Sequence, residues 1–296
     1  MAIPESQLET WAHQGSVTQS SETYQTIRRA LLADGAGYSA KPFEVFLQGS
    51  YGNNTNIYAE SDVDIVICYN GAFFHDLTEL PPDQRSAFST HFSDATYYYA
   101  TFKQDVQTVL DSAFGRSVKP GGKAIKIEAN GSRRNADVIV AFEFRRYHRF
   151  IGVTNQSFDT GVCFFKQDGT TRIANYPKYH SENCTAKHQA TCGNFKPLVR
   201  IFKNIRTKLV DDGVIEGGVA PSYFIEGLLY NVPPEHFSGT YDNMVVKAVN
   251  WLHSADRTEF VCANRQYYLL RDSPVCWTAV NCQRYIDAVT QLWNEW

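Results

Sequence analysis

Two aspartates separated by one residue, Asp62 and Asp64, stand directly before an apolar run, Ile65-Val66-Ile67. In a β-strand, residues i and i+2 project to the same face, so the two carboxylates would lie side by side. Paired carboxylates repel each other unless a cation lies between them, and hard divalent cations prefer oxygen ligands. Two metal ions held by such a pair can stabilise the attacking and leaving oxygens of a phosphoryl displacement. The pair therefore predicts metal-dependent phosphoryl transfer.

A pair of small residues, Gly49-Ser50, follows an apolar run and precedes the aspartates, with eleven residues between Ser50 and Asp62. Glycine lets the backbone approach a phosphate closely, and the serine hydroxyl can bind its oxygens. The combination of Gly-Ser, Asp-x-Asp and a strand resembles the signature of the polymerase-β-type nucleotidyltransferases. The alternative is a polar turn followed by a strand that carries two solvated carboxylates.

A metal site of this type needs a third carboxylate, and Asp137 is the candidate. Residues 123–128 alternate in polarity like a strand, a turn follows, and Asp137 opens a second apolar strand over residues 135–142. We expect Asp137 to lie beside Asp62 and Asp64 and to bind the metal that activates the attacking hydroxyl. The alternative for Asp137 is a turn residue that closes a hairpin.

The elements that position these residues are mixed in the first half of the chain and helical in the second. The pattern predicts strands over 43–47 and 62–69, and helices over 4–32 (broken near Gly15-Ser16), 53–60, 94–114, 196–210, 236–252 and 279–293. We predict an α/β (α+β) fold, with a polymerase-β-type nucleotidyltransferase core and N-terminal helix in residues 1–170. A helical lobe in residues 171–296 would complete the nucleotide pocket, with the active-site cleft between the two.

The composition limits the class of substrate. The chain has 296 residues, of which 43% are hydrophobic, and a net charge of −3. A protein that grips nucleic acid is usually basic, so we predict small nucleotides as substrates and no obligatory nucleic acid partner. The chain has an odd number of cysteines, seven, and its first segment does not have the pattern of a signal peptide. It also lacks a run of about 20 apolar residues. These features predict a cytoplasmic protein that does not enter the membrane.

A set of histidines and cysteines recurs every four residues: His180, Cys184, His188 and Cys192. On a helix, this spacing spreads the side chains over about 18 Å at 1.5 Å per residue. Four ligands of one tetrahedral zinc ion must converge, so we interpret the set as dispersed core and surface residues.

Nearly the whole chain resembles the bacterial CD-NTases, which make cyclic oligonucleotides in anti-phage defence, and in particular their clade E. The resemblance is carried by residues 3–8, 47–51, 53–64, 175–178, 220–224 and 229–233, and by a last helix that contains tryptophan. It implies that the 3′-hydroxyl of one nucleoside triphosphate attacks the α-phosphate of another, and that a second round closes the ring. It further implies two Mg²⁺ or Mn²⁺ ions on Asp62, Asp64 and Asp137.

The resemblance also implies the nucleotide contacts. Those on the phosphate loop and around the triphosphate tail are Gln48, Gly49, Ser50, Lys203 and Ser222, and those to a base or ribose are Tyr51 and Tyr223. Clade E members that use pyrimidines carry asparagine at the position of Asn175, and an amide can both donate to and accept from a uracil edge. The resemblance therefore implies UTP and ATP as substrates and a uracil-containing product, cyclic UMP-AMP or cyclic di-UMP. For Asn175 the alternative is a turn residue before Pro177.

Two other classes of function stay open on the sequence alone. One is a nucleotidyltransferase of the same fold that modifies an RNA, a protein or a small molecule. The other is a nucleotide-binding regulator with a degenerate site, which the presence of all three aspartates disfavours. For the cyclic dinucleotide synthase we predict a monomer whose product is detected by a separate effector protein.

Overall fold

The computed structural model describes residues 2–15, 17–59, 62–271 and 276–296, and the chain divides into two compact units. The helical unit comprises Met1–Val17, Gly49–Ser61 and Lys178–Trp296, and the sheet unit comprises Thr18–Gln48 and Asp62–Pro177. The predicted division at residues 170/171 concerns functional domains and stays a prediction.

The described residues form ten α-helices and seven β-strands. The α-helices are α1 (Glu5–Ala12), α2 (Thr18–Leu31), α3 (Gly49–Gly52), α4 (Pro82–His91), α5 (Tyr99–Phe114), α6 (Pro177–Ala190), α7 (Phe195–Asp211), α8 (Ser222–Asn231), α9 (Tyr241–Ser254) and α10 (Ala279–Glu295). The strands are β1 (Phe43–Leu47), β2 (Val63–Asp76), β3 (Val118–Pro120), β4 (Ile125–Ile127), β5 (Ala136–Gly152), β6 (Asn155–Phe165) and β7 (Arg172–Asn175). Residues 115–117 and 234–236 form single 3₁₀ turns.

The sheet unit is built on one mixed seven-stranded sheet in the order β1-β2-β5-β4-β3, with β6 paired to β5 and to β7. The pairing of β2 with β5 is parallel, and the other pairings are antiparallel. Ile65 and Val66, which point to opposite faces of β2, are both fully buried. A strand buried on both faces is a continuous apolar run, which is why residues 65–67 were recognisable as a central strand.

The helical unit has its core around α7. Leu198, Phe202 and Ile205 lie on one face of α7, are at most 1% exposed, and share a single apolar cluster with residues of α1, α8, α9 and α10. The sequence predictions for α7, α9 and α10 are confirmed within a few residues. Among the described residues, no helix combines the length and the hydropathy that a membrane span requires.

Two helix predictions need correction, and a third agrees with the structure. The stretch 4–32 forms two helices, α1 and α2, as the expected break implied, although Ser16 lies outside the described residues. The helix expected over 94–114 begins only at Tyr99, because Tyr97 turns toward the sheet, where its ring packs 5.2 Å from that of Tyr69. The helix expected over 53–60 is wrong for residues 53–59, which are not helical, and residue 60 lies outside the described residues. The short helix of this loop is α3, which ends at Gly52.

Candidate active site

Asp64 and Asp137 are the second residues of the adjacent strands β2 and β5, and Asp62 directly precedes β2. The parallel register of β2 and β5 places Asp64 directly opposite Asp137, where neighbouring strands lie about 4.8 Å apart. The backbone N–H of Val63 donates to the carbonyl of Asn135 over 3.0 Å and fixes this register at its first residue. The predicted alignment of Asp137 with the Asp-x-Asp pair is therefore what the sheet shows.

The electrostatics of this edge fit a hard divalent cation. Burial raises the pKa of Asp137, the ammonium of Lys126 on β4 lowers it, and the negative charge of Asp62 raises it again. Asp62 is exposed, whereas Asp64 and Asp137 are half-buried. An all-oxygen donor set whose members repel one another is the chemistry that Mg²⁺ or Mn²⁺ would neutralise, so these residues fit such an ion.

The loop after β1 begins with a backbone turn that only glycine adopts easily. Gly49 has a φ of +66°, and the single helical turn of α3 follows it. Asn54, with a φ of +56°, ends the turn in a Schellman arrangement: the N–H of Thr55 donates to the carbonyl of Ser50 over 2.9 Å, and that of Asn54 to Tyr51 over 3.2 Å. The left-handed conformation of Asn54 ends the helix, which explains why α3 precedes residues 53–60 instead of spanning them.

A buried ion pair lies under this loop within the helical unit. The ammonium of Lys203 on α7 lies 3.0 Å from the carboxylate of Glu226 on α8, and both side chains are almost fully buried. The same ammonium donates to the hydroxyl of Ser50 over 2.7 Å and to the carbonyl of Thr55 over 3.2 Å. Lys203 and Ser50, both predicted from the sequence, are thus in direct contact.

Glu226 was not predicted. His180 on α6 contacts its carboxylate through Nε2 over 2.6 Å, and the amide of Asn53 donates to it over 3.2 Å. Burial alone would raise the pKa of Glu226, but the charge of Lys203 and the hydrogen bond from His180 hold it below its usual value. The only sequence signal was a single acidic residue within an otherwise apolar helix, Ser222–Asn231.

Two further predicted residues adjoin the loop. In the sheet unit, the backbone N–H of Gln48 donates to the carbonyl of Asp64 over 3.0 Å, and Gln48 Oε1 is buried with no donor within reach among the described residues. In the helical unit, the hydroxyl of Tyr51 donates to the carbonyl of Val17 over 3.3 Å. Neither contact assigns a nucleotide role, so both roles stay predictions.

The residues expected to contact base and phosphate tail belong to different units. Asn175 is the last residue of β7, and its side-chain carbonyl accepts the backbone N–H of Tyr176 over 2.8 Å. Ser222 is the first residue of α8, and Tyr223 follows it. The ring of Tyr223 stacks on that of His180 with centroids 4.8 Å apart, so one of its faces is already covered.

The histidines and cysteines at four-residue spacing are only partly dispersed. Ligand atoms of His180, Cys184 and Glu226 lie within 4.8 Å of one another. Burial raises the pKa of the Cys184 thiol well above its usual value, whereas metal ligation requires a thiolate. Glu226 is also paired with the Lys203 ammonium, so this donor set fits a hydrogen-bonded ion cluster better than a zinc site.

Comparison with known proteins identifies the family of this chain. Residues 182–294 match the family described as the cGAS/DncV-like nucleotidyltransferase C-terminal helical domain. A cyclic UMP-AMP synthase of Rhodothermus marinus is 38% identical over 100% of this chain and 99% of its own length. The cyclic nucleotide synthase CdnE01 of Staphylococcus haemolyticus is 37% identical over the full length of both chains.

A solved structure, that of the Rhodothermus marinus CdnE c-UMP-AMP synthase with Apcpp and Upnpp, superimposes with a TM-score of 0.88. It is 37% identical and covers 99% of this chain and 97% of its own. With the aspartates aligned on adjacent strands and a helical unit that matches the family, the chain belongs to the CdnE-type cyclic nucleotide synthases, which are nucleotidyltransferases of the cGAS/DncV-like family.

Proposed function

We propose that this enzyme joins UTP and ATP into cyclic UMP-AMP, using two Mg²⁺ or Mn²⁺ ions. The observation that carries the chemistry is the register that sets Asp64 opposite Asp137, beside Asp62. The choice of nucleotides is supported by the printed activity of the Rhodothermus relative and by Asn175. We further propose that the enzyme acts as a cytoplasmic monomer and that a separate effector protein detects the product in anti-phage signalling.

The three aspartates would hold the metal ions, with Asp137 at the ion next to the attacking 3′-hydroxyl. Bound there, the ions would lower the pKa of that hydroxyl and neutralise charge on the α-phosphate and the leaving pyrophosphate. The chain's own part is orientation, because the parallel β2–β5 pairing fixes Asp64 and Asp137 against each other. A second turnover in the same site would close the ring.

The phosphate loop would position the donor triphosphate. The positive φ of Gly49 turns the backbone, and the ammonium of Lys203 already holds the Ser50 hydroxyl. Ser222, at the first residue of α8, would contribute a hydroxyl to the same tail. Gln48 would contribute to the same phosphate loop, and Tyr51 and Tyr223 would contact ribose or base.

Asn175 would select uracil through its donor group. One of the two lone pairs of its side-chain carbonyl accepts from the Tyr176 N–H, which fixes the orientation of the amide and leaves the NH₂ group to donate to O4 of a base while the second lone pair accepts from N3–H. Uracil presents the acceptor O4 at its edge, whereas cytosine presents an amino donor at the same position. An NH₂ group that meets O4 gains a hydrogen bond, and one that meets an amino group faces a second donor.

The first test is incubation of the purified enzyme with the four labelled nucleoside triphosphates and Mg²⁺ or Mn²⁺, followed by phosphatase treatment and mass spectrometry. We expect a phosphatase-resistant product that contains one uridine and one adenosine. A cyclic product that contains only purines would contradict the proposed role of Asn175 but would still agree with a cyclic nucleotide synthase. Transfer of label only onto an added RNA, protein or small molecule would favour the alternative transferase.

Asn175→Asp gives a sharper test of base choice. The variant keeps an oxygen for the Tyr176 N–H but replaces the NH₂ donor by a second acceptor. We expect loss of uridine incorporation and a gain of cytidine, measured by competition between UTP and CTP. An unchanged ratio of the two pyrimidines in the product would contradict the proposed contact.

A further inference from the structure

Glu226 contributes a buried negative charge under the phosphate loop, and the resemblance to known synthases assigned it no role. We propose that Glu226 is a positioning residue for nucleotidyl transfer, which acts through the ammonium of Lys203 on the hydroxyl of Ser50. This inference rests on the proposed function, which places Ser50 at a phosphate of the bound nucleotide. Glu226, Lys203, Ser50 and their partners all belong to the helical unit.

The carboxylate of Glu226 has four close polar partners. Glu226 is 2% exposed, and an ionised carboxylate offers about four lone-pair positions. Oε1 accepts from Lys203 Nζ and from the Thr55 hydroxyl, and Oε2 accepts from Asn53 Nδ2 and lies 2.6 Å from His180 Nε2. The Lys203 ammonium at 3.0 Å favours the ionised carboxylate, and this anion orients the donors around it.

The ammonium of Lys203 is oriented by this anion. It is fully buried, and its closest acceptors are the hydroxyl of Ser50 at 2.7 Å, the Glu226 carboxylate at 3.0 Å and the carbonyl of Thr55 at 3.2 Å, with the Thr55 hydroxyl at 3.4 Å. Because an ammonium can only donate, the oxygen of Ser50 must accept in this contact. The Ser50 hydroxyl therefore keeps its own proton to donate to a different acceptor, and a phosphate oxygen is such an acceptor.

Removal of the charge at Glu226 would undo this orientation. A buried ammonium without its counter-ion is strongly unfavourable, so Lys203 would move or be solvated instead of pointing at Ser50. The Ser50 hydroxyl would then rotate freely. A misplacement of about 1 Å in groups that align a reacting phosphate lowers the rate by about 100-fold.

Glu226→Gln tests this directly, with Tyr285→Phe as the matched control. Tyr285 is fully buried in the same unit, and its hydroxyl donates to the carbonyl of Phe202 over 2.8 Å, next to Lys203 on α7. We expect both variants to lower the thermal midpoint. Only Glu226→Gln should lower kcat for pyrophosphate release at saturating UTP and ATP, by about 10- to 100-fold. A normal kcat for Glu226→Gln would overturn the inference.

A double-mutant cycle tests the route through Ser50. If Glu226 acts on the Ser50 hydroxyl, Ser50→Ala combined with Glu226→Gln should be hardly slower than the slower single variant. Independent, multiplied losses would overturn the inference. If Glu226→Gln does not fold, Lys203→Met/Glu226→Gln removes both charges together, and a normal kcat for that pair would also overturn it.

Hydrogen exchange separates this inference from the proposed function. A wild-type enzyme that releases no pyrophosphate from any nucleoside triphosphate would refute the proposed function. In that case the backbone amides of residues 49–57 still report on positioning. We expect them to exchange at least about tenfold faster in Glu226→Gln than in Tyr285→Phe, and equal rates would overturn the inference.

Discussion

Gly161→Ala should disturb nucleotide selection although Gly161 carries no functional group. Gly161 lies on β6, one residue before Val162, which pairs with Asn175 on β7. A Cβ atom at position 161 would lie 2.5 Å from the backbone oxygen of Asn175 and 2.9 Å from the ring of Tyr176. Ordinary contacts begin at 3.4 Å, so the two strands must separate by about 0.9 Å.

The expected magnitude has two parts. Overpacking of a core typically lowers the free energy of unfolding by about 1–3 kcal/mol, and Tyr176 is fully buried and cannot move aside into solvent. For a chain of this size, each kcal/mol lowers the thermal midpoint by about 2–4 °C. A shift of about 1 Å at Asn175 would lower the rate of uridine incorporation by about 100-fold, with a smaller effect on adenosine-only products.

The assay combines calorimetry with competition between UTP and the other nucleotides in product synthesis. Gly152→Ala is the matched control, since Gly152 ends β5 and a Cβ atom there meets nothing within 4 Å. We expect Gly152→Ala to match the wild type in thermal midpoint and product. If Gly161→Ala also matches the wild type in thermal midpoint and product, the close approach of β6 to Asn175 does not position Asn175.

Three further predictions concern charge and burial. Asp64→Asn should lower kcat for pyrophosphate release by about a thousandfold, because it weakens metal charge stabilisation worth several kcal/mol, and activity above a tenth of wild type would contradict its role. In chelator at neutral pH, Asp137→Asn should be more stable to urea than the wild type. Burial and the charge of Asp62 raise the pKa of Asp137, and a carboxyl with a raised pKa favours folding only while it is protonated. The difference in stability between the variant and the wild type should therefore vanish in acid. Equal stability of the two proteins at neutral pH would refute the prediction. Trp277→Phe should lower the free energy of unfolding by about 1–3 kcal/mol, since it removes a buried 2.7 Å hydrogen bond to the carbonyl of Val219; an unchanged urea midpoint would argue against that bond.

The alignment of the three aspartates could be predicted from the sequence because its determinants are local. Asp62 and Asp64 adjoin an apolar run, and the hairpin of β4 and β5 supplies Asp137 within a short stretch of chain. The face on which each side chain lies follows from the two-residue period of a strand. The predicted cleft, the division at residue 170/171 and the individual nucleotide contacts remain predictions.

The parts that escaped prediction depend on backbone torsions or distant partners. The end of α3 depends on the left-handed conformation of Asn54, which asparagine adopts more readily than most residues but which its identity does not dictate. Glu226 could not be assigned because Thr55, one of its partners, is 171 residues away in sequence. The start of α5 was misplaced because Tyr98, directly before the first helical residue, adopts an extended conformation that its apolar neighbours do not indicate.

The long sequence separation of the contacts under the phosphate loop has a consequence for synthesis on the ribosome. Ser50 and Thr55 emerge early, but Lys203 follows Ser50 by 153 residues and Glu226 follows Thr55 by 171. Until α8 has left the exit tunnel, the loop lacks the charges that hold it, whereas β1, β2 and β5 can already pair. Long-range contacts of this kind form late in folding. A nascent chain would thus carry its aspartates in register well before it could position a triphosphate, so catalysis would begin only once most of the polypeptide had been made.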